Sequence, residues 1–342
     1  MTPRQSNPGL GATASDPTAG PGTATPPASF GAGRIESAPN PLWQCVFLLW
    51  GDRYGAGDVN HIVAAVRARA RDVPRFVLLT DRPRPGLDAA VQSRPIPDFY
   101  LRPDFLKGGC QAKIALFEPG LLPTDLPAVY LDLDTVVLGD MGELVRLMPD
   151  PLTVAMLQSA ILPFGPVGRL AARLTGGRRY ARGNSSVLLF HPAHGAEVAA
   201  KFRAAVRAHP DLRFRPLAAD ERFISWAVQP RMRAVPSSFA VKFPTEFMLP
   251  WAWAVLLRAR LPWVRRRRTG LRAITLPGPE VKPEALTPLP EGARLRDRKG
   301  RLLIWSDAAL GPARPALIAH ADGLARARAA VEDLASLTPP AA

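Results

Sequence analysis

The chain has 342 residues, a formal net charge of +15 at pH 7, 47% hydrophobic residues and two cysteines. This apolar content excludes wholesale disorder, and two cysteines without metal-ligand spacing exclude a disulfide scaffold and a zinc finger. No uncharged apolar run reaches about 18 residues and no signal-peptide pattern opens the chain, so we expect neither a spanning helix nor a leader. Two cysteines suit a reducing compartment, and we expect a cytoplasmic protein.

Composition divides the chain into three parts. Residues 1–40 contain seven Pro and six Gly but few large apolar residues. Such a segment cannot bury enough apolar surface to offset its ordering entropy, so we predict a disordered tail. We assign an α/β domain to 41–285, with a basic Trp-rich insertion at about 249–270, and a C-terminal extension with a helix to 286–342.

Beyond the tail, apolar runs alternate with amphipathic segments. Strands are predicted at Gln44–Trp50 and Arg75–Thr80, with a helix capped by Asp58 between them. Further strands are predicted at 128–133, 153–157 and 185–190, and further helices at 111–117, 141–148 with Asp140 as cap, 193–208, 220–228 and 313–334. This alternation indicates an α/β fold in which helices cover a sheet.

The segment from Val129 to Val137 is the most informative one. An apolar strand leads there into Asp132-Leu-Asp134. In an extended chain residues i and i+2 face the same side, so the two carboxylates are expected to point into common space. Hard carboxylate oxygens suit Mg²⁺ or Mn²⁺, which can bridge to nucleotide phosphates. In the alternative interpretation one Asp caps a turn and the other is solvated.

Several other segments accompany this motif. They are Trp50-Gly-Asp-Arg-Tyr54, Phe76-Val-Leu-Leu-Thr80-Asp81, Gly109-Cys-Gln-Ala-Lys113-Ile-Ala-Leu-Phe117, Asn184-Ser-Ser-Val-Leu-Leu-Phe190, Asp220-Glu221 and Ser238-Phe-Ala-Val-Lys242. From Phe47 to about Pro283 their order and spacing resemble bacterial nucleotide-sugar glycosyltransferases of GT-A fold, in the glycogenin and lipopolysaccharide-galactosyltransferase group. The resemblance implies a Rossmann-like mixed sheet flanked by helices, a nucleotide-sugar donor with uridine as base, a divalent cation and a glycan or lipid-linked acceptor.

The resemblance also implies roles for individual residues. Metal binding falls to Asp132 and Asp134. Contacts with the nucleotide and donor fall to Trp50, Tyr54, Thr80, Asp81, Lys113, Ser185, Lys242 and Lys282. Catalytic roles fall to Asn184, Asp220 and Glu221, and the resemblance favours retention, in which an acidic side chain stabilises the oxocarbenium-like centre. In an inverting enzyme that side chain would be the general base.

Two alternatives remain open. Asp132-Leu-Asp134-Thr135 also resembles the motif of haloacid-dehalogenase-type phosphatases, although that family carries the motif on its first strand and at least two strands precede it here. The glycosyltransferase family closes its metal site with a His in a His-Gly-x-Pro-Lys-Pro-like segment. Pro277 stands at that position, and Gly278 and Lys282-Pro283 are retained. A degenerate relative that binds a nucleotide without turnover is therefore the second alternative.

The segment 249–268 departs from the family pattern. Seven Arg and no acidic residue lie between Glu246 and Glu280, together with Trp251, Trp253 and Trp263. Trp beside aliphatic residues and Arg suits peripheral contact with an anionic membrane, which we expect at the inner face. The alternative is a helical lid or an oligomer contact with the Trp side chains packed inside. No nucleic-acid partner is expected, because no recognised binding module accompanies the charge.

Overall fold

A computed structural model describes residues 41–107, 110–158, 164 and 166–337 of the protein. The predicted tail at 1–40 lies outside the described residues. The strands are β1 (Gln44–Leu49), β2 (Arg75–Thr80), β3 (Val91–Pro95), β4 (Ala128–Leu131), β5 (Thr135–Val137), β6 (Val154–Gln158), β7 (Gly183–Phe190), β8 (Met232–Val235), β9 (Ala240–Lys242), β10 (Ala273–Thr275), β11 (Ala293–Arg296) and β12 (Leu302–Trp305).

Helices connect and cover these strands. The α-helices are α1 (Ala56–Arg67), α2 (Pro103–Leu106), α3 (Pro166–Leu174), α4 (Ala196–Ala208), α5 (Asp220–Ala227), α6 (Phe243–Phe247), α7 (Ala252–Arg260), α8 (Pro262–Thr269), α9 (Pro283–Leu286), α10 (Asp307–Leu310) and α11 (Ala313–Leu337). Short 3₁₀ helices occur at Asp98–Tyr100, Gln111–Phe117, Met141–Leu147, Pro192–His194, Arg215–Ala218, Gln229–Arg231 and Pro279–Val281. No helix in the described part of the chain is long and apolar enough to cross a bilayer.

The main sheet has seven strands in the order β3-β2-β1-β4-β7-β6-β8. β3, β2, β1 and β4 run parallel to one another, whereas β7 is antiparallel to both β4 and β6. The sheet is therefore mixed, and the start of β7 lies at the edge where β1, β2 and β4 end.

Both faces of the main sheet are covered, and β1 shows this in its sequence. Val46 and Leu48 belong to the core beneath α4 and α5, whereas Cys45, Phe47 and Leu49 belong to the core beneath α1. Alternate side chains of a strand point to opposite faces, so a strand covered on both sides is expected to be largely apolar. All six residues of β1 are buried.

A second, three-stranded sheet has the order β5-β10-β9. Val136, Val241 and Ile274 of this sheet share a third core with side chains of α11 and of the β11–β12 hairpin. The long helix α11 also packs on α1, where His61 Nε2 lies 3.0 Å from His320 Nδ1. The residues beyond 286 thus complete a core around the second sheet.

The α/β class and the mixed sheet are as the sequence predicted, and β2 has the predicted bounds. The predicted cap of α1 is wrong, because the helix begins at Ala56 and Asp58 accepts a hydrogen bond of 2.9 Å from the amide of Gly55. The helices predicted at 111–117 and 141–148 are 3₁₀ helices, and the Asp140 carboxylate caps the second, as expected. The short strands β3 and β8 to β12 were not predicted, because three to five residues carry too little periodicity.

The basic insertion forms α7 and α8 with the loop before them. Glu246 is buried, and its carboxylate pairs with three arginines of the insertion, Arg258, Arg267 and Arg268. Trp251, Trp253 and Trp263 are 61%, 65% and 67% exposed, so they do not pack inside this chain. One buried carboxylate therefore balances part of the charge, and the tryptophans face outward.

Candidate functional site

The site lies at the edge of the main sheet where β1, β2 and β4 end. Trp50, Asp81 and Asp132 each follow directly after one of these strands. β7 runs in the opposite direction, so its first residues reach the same edge. Asn184 and Ser185 are the second and third residues of this strand. The topology alone therefore brings these five side chains to one edge.

Asp132 and Asp134 lie in a turn, and the prediction that an extended strand carries them is wrong. β4 ends at Leu131, the amide of Thr135 donates to the carbonyl of Asp132 at 3.1 Å, and β5 then enters the second sheet. Asp132 still continues the β4–β7 ladder, because its amide donates to the carbonyl of Ser186 at 2.9 Å. The turn is needed because the chain passes here from one sheet to the other.

Lys113 is buried at the centre of a polar cluster. Its ammonium lies 2.8 Å from the carboxylate of Asp132, 3.4 Å from that of Asp220 and 3.2 Å from the hydroxyl of Ser185. The hydroxyl of Tyr130 donates to the same Asp132 oxygen at 2.6 Å. With 6% of its surface exposed, Lys113 does not extend into solvent as a lone lysine on an apolar segment usually does.

The charges of this cluster stabilise one another. Burial alone would lower the pKa of Lys113, but the nearby Asp132, Tyr130 and Asp220 raise that pKa well above its usual value. Burial likewise opposes ionisation of Asp132, and the Lys113 ammonium nevertheless holds the pKa of that carboxyl below its usual range. Burial raises the pKa of Asp220 against the pull of Lys113 and Ser185.

Asp134 forms a second cluster with residues of distant segments. Its Oδ2 pairs with the ammonium of Lys282, and that ammonium also lies 5.9 Å from the centre of the Tyr54 ring. Burial, followed by repulsion from Asp132, raises the pKa of Asp134. Oδ1 of Asp134 is buried and has no hydrogen-bond partner among the described residues.

Asp220 and Glu221 have different environments although they are adjacent. Asp220 is 6% exposed, and its carboxylate accepts a hydrogen bond from Ser185 and pairs with Lys113. Glu221 lines an open cavity of about 700 Å³ and accepts a hydrogen bond of 2.7 Å from the amide of Asn184. Glu221 is therefore the member of the pair that a ligand in the cavity can reach, and Asp220 helps to position Lys113.

The residues expected near the nucleoside are held by the loops after β1 and β2. The Asp81 carboxylate accepts from the amide of Gly51 at 3.0 Å and from Arg84 at 2.5 Å, which ties the two loops together. Thr80 is fully buried and donates to the carbonyl of Arg82. Trp50 is half-buried against the core, so its remaining surface borders these loops.

Lys242 connects the two clusters to the cavity. It ends β9, lines the cavity beside Glu221, and forms no ion pair within the part of the chain that the structure describes. Burial lowers the pKa of Lys242, which the nearby Glu221 opposes and the nearby Lys299 reinforces. Pro277 lines the same cavity, so the position expected to hold a His offers no side-chain ligand.

The side chains of Asp132 and Asp134 are the candidate ligands for the expected divalent cation. Among the described residues, no three His, Cys, Asp or Glu side chains group together as a metal site. Asp132 and Asp134 nevertheless provide carboxylate oxygens, and the unpartnered buried Oδ1 of Asp134 is an open ligand position. Mg²⁺ and Mn²⁺ accept several water ligands, so two carboxylates fit such an ion without a His.

Sequence reasoning missed two residues of the site's surroundings. Arg182 immediately precedes β7 and lines the cavity, and Lys299 reaches the cavity from the turn between β11 and β12. The position of Arg182 two residues before Asn184 was a usable signal. No local signal identifies Lys299, because more than 50 residues separate it from every other predicted site residue except Lys282.

No protein-family model matches the chain, and no curated protein matches its sequence at a significant level. Similar solved structures include the galactosyltransferase LgtC in complex with donor and acceptor sugar analogues, at 16% identity and a TM-score of 0.48, over 82% of this chain and 95% of that chain. The bifunctional glycosyltransferase WbbM aligns at 13% identity and a TM-score of 0.49, over 84% of this chain and 53% of its own.

The glycosyltransferase GlyE of Streptococcus pneumoniae aligns at 13% identity and a TM-score of 0.45, over 83% of this chain and 63% of its own. All three likenesses concern the general chain path at low identity.

Proposed function

We propose that the protein is a glycosyltransferase that moves a sugar from a nucleotide-diphosphate sugar, with uridine as base, to a glycan or lipid-linked acceptor. One observation carries the proposal: Asp132, Asp134 and three lysines meet at one sheet edge beside a cavity that Glu221 lines. A diphosphate needs such cations, and a reacting sugar needs a carboxylate beside it.

The charge balance of the site supports a metal-assisted reaction. Four carboxylates, those of Asp132, Asp134, Asp220 and Glu221, outnumber the three ammonium groups of Lys113, Lys242 and Lys282. A dianionic diphosphate would therefore be repelled unless a further cation bound. We propose that Asp132 and Asp134 hold Mn²⁺ or Mg²⁺, which when bound supplies positive charge to the leaving diphosphate.

The lysines have distinct roles in this proposal. Lys282 bridges Asp134 and the Tyr54 ring, so it stands between the carboxylate and the expected nucleoside region and binds the diphosphate there. Lys113 is fixed by Asp132 and Asp220, and its ammonium favours ionisation of both carboxylates. Lys242 has no ion-pair partner in the described part of the chain and remains available to a developing negative charge.

Glu221 is proposed to face the anomeric carbon. The Asn184 amide donates to one of its carboxylate oxygens at 2.7 Å and so fixes the orientation of that carboxylate. In a retaining reaction Glu221 stabilises the oxocarbenium-like centre, and we propose this mechanism for the hexosyl transfer. In an inverting reaction it would remove the proton of the acceptor hydroxyl.

The test is metal-dependent hydrolysis of a UDP-sugar by the full chain. We expect Mn²⁺ or Mg²⁺ to stimulate release of UDP, and Asp134→Ala and the isosteric Asp134→Asn to abolish that stimulation. A thermal-shift screen of nucleotide sugars, with and without Mn²⁺, identifies the base and sugar. Undiminished turnover by Asp134→Ala would contradict the assignment.

Two alternatives predict different results. A degenerate relative, which Pro277 favours, would bind UDP tightly without hydrolysis or transfer. A phosphatase would release phosphate from sugar phosphates without any nucleotide. The phosphatase is the less favoured of the two, because Asp132 follows the fourth strand of the chain and is paired with Lys113.

We further propose that α7 and α8 contact an anionic membrane surface, at the inner face. Trp251 and Trp253 stack at 6.1 Å between ring centres, both are largely exposed, and Arg260, Arg265 and Arg266 are exposed on the same two helices. Exposed Trp with unburied Arg suits anionic headgroups. Vesicles of phosphatidylglycerol should pellet the wild type, and a Trp251/Trp253/Trp263→Ala variant should stay in solution; equal pelleting would remove this proposal.

A further inference from the structure

The cavity beside Glu221 is built from segments that are far apart in the sequence. Arg182 precedes β7, Lys242 ends β9, and Arg298, Lys299 and Arg301 belong to the turn between β11 and β12. Its volume of about 700 Å³ is in the range of small-molecule sites. Of the described residues that line it, none is Asp132, Asp134, Lys113 or Lys282, but Glu221 and Lys242 also belong to the proposed donor site, so the cavity adjoins that site and shares these two residues with it.

The acidic residues of the cavity are already engaged. Glu280 pairs with Arg298 at 2.8 Å, and Asp297 pairs with Arg301 at 2.6 Å. Glu221 is held by the Asn184 amide.

Three cations of the lining therefore remain without an ion pair in the described ranges: Arg182, Lys242 and Lys299. Against them stands the single charge of Glu221, which leaves an excess of about two positive charges.

The cations also repel one another. Burial lowers the pKa of Lys242 most, the nearby Glu221 and Asp132 raise it, and the nearby Lys299 and Arg301 lower it. A bound anion would relieve the repulsion among these cations. A phosphate monoester carries about −1.5 to −2 charges at pH 7 and offers three acceptor oxygens, which matches the excess.

We propose that this cavity is the acceptor site and that it selects an acceptor carrying a phosphate group, which Arg182 and Lys299 bind. The inference rests on the glycosyltransferase function proposed above, because the cavity shares Glu221 and Lys242 with the proposed donor site. In this proposal the sugar part of the acceptor presents its hydroxyl at Glu221, and its phosphate lies at Arg182 and Lys299. A neutral glycan of the same size lacks the charge that these two cations require.

Calorimetric titration of the full chain in Mg²⁺ buffer, saturated with UDP, tests this site. The probes are inorganic phosphate, glucose 6-phosphate and glucose. We expect the two phosphates to bind while UDP is present, and glucose to bind at least tenfold more weakly than glucose 6-phosphate. Equal binding of the two sugars, no phosphate binding, or displacement of phosphate by UDP would each overturn the proposal.

Two variants locate the phosphate. Arg182→Ala should weaken phosphate binding about tenfold and Lys299→Ala about threefold or more, and both should leave UDP affinity within twofold. Lys201→Ala, on α4 and outside the cavity, is the matched control and should change neither affinity. If both variants bound phosphate as tightly as the wild type does, the proposed phosphate site would be wrong. If the wild type did not bind UDP, the donor proposal alone would be wrong.

Discussion

Asn184 donates a hydrogen bond of 2.7 Å to Glu221, while the adjacent Asp220 is buried against Lys113 and Ser185. One helix start therefore presents two carboxylates in different environments. Glu221 faces the cavity, and Asp220 belongs to the buried cluster that keeps Lys113 and Asp132 charged.

This difference predicts opposite effects for two isosteric changes. Glu221→Gln should lower UDP-sugar turnover about a hundredfold or more and leave the unfolding midpoint in urea almost unchanged. Asp220→Asn should lower the free energy of unfolding by about 1–3 kcal/mol, because Lys113 loses a buried ion-pair partner. Kinetics and urea denaturation of both variants check this, and a stability loss confined to Glu221→Gln would contradict the division of roles.

Removal of the Lys113 ammonium should be more damaging. Lys113→Met keeps the length of the side chain but leaves Asp132 and Asp220 buried without their cation. We expect a loss of about 3–5 kcal/mol in the free energy of unfolding, the usual cost of breaking a buried ion pair from one side. The control is Lys107→Met, whose side chain is 73% exposed and which should change stability by about 0.5 kcal/mol or less. Equal stability of the two variants would contradict the buried cluster.

Glu246 should be the anchor of the basic insertion. Its carboxylate is the partner of Arg268, which is itself buried and also donates to the carbonyl of Ala309 at 2.8 Å. Glu246→Gln should lower the free energy of unfolding by about 3–5 kcal/mol, since a buried guanidinium loses its counterion. The exposed pair of Glu197 with Lys201 provides the comparison, and Glu197→Gln should cost about 0–1 kcal/mol. Limited proteolysis should cut α7–α8 faster in the first variant only.

The His61–His320 contact predicts a dependence of stability on pH. Burial, and then the neighbouring His61, lower the pKa of His320 to about 3. The charged groups around the pair are Asp58, Arg69, Glu284, Arg326 and Arg328. The unfolded His binds a proton near its ordinary pKa of about 6.5, whereas the folded His320 stays neutral there. The protein is therefore at full stability with respect to this residue above pH 6.5, and its free energy of unfolding decreases as the pH falls toward 3.

The expected slope is about 1.4 kcal/mol per pH unit below pH 6.5 for one proton. Urea denaturation at pH 7, 5.5 and 4.5 measures it. His320→Gln should flatten the profile, and His209→Gln, at an exposed position, should leave it as in the wild type. A profile that is the same in all three proteins would show that the pair does not titrate this way.

The sequence by itself determined the central strands of the main sheet and the identity of its chemical motif, but not the short strands β3 and β8. Cys45–Leu49 and Phe76–Leu79 are continuous apolar runs because both sheet faces are covered, and that pattern is readable without coordinates. Asp132 and Asp134 are recognisable in the sequence because their carboxylates interrupt such an apolar run where a strand ends.

Only the tertiary structure decided how those carboxylates are used. A lone lysine on an apolar segment looks the same in sequence whether it extends to solvent or pairs inside. Its partners Asp132, Ser185 and Asp220 come from the end of β4, the start of β7 and the start of α5, and only packing brings them to Lys113. The contrast between Asp220 and Glu221 depends on the direction in which α5 begins, and the approach of Lys299 depends on the hairpin β11–β12 packing on the second sheet. Contacts between segments far apart in the chain depend on packing, which local periodicity does not encode.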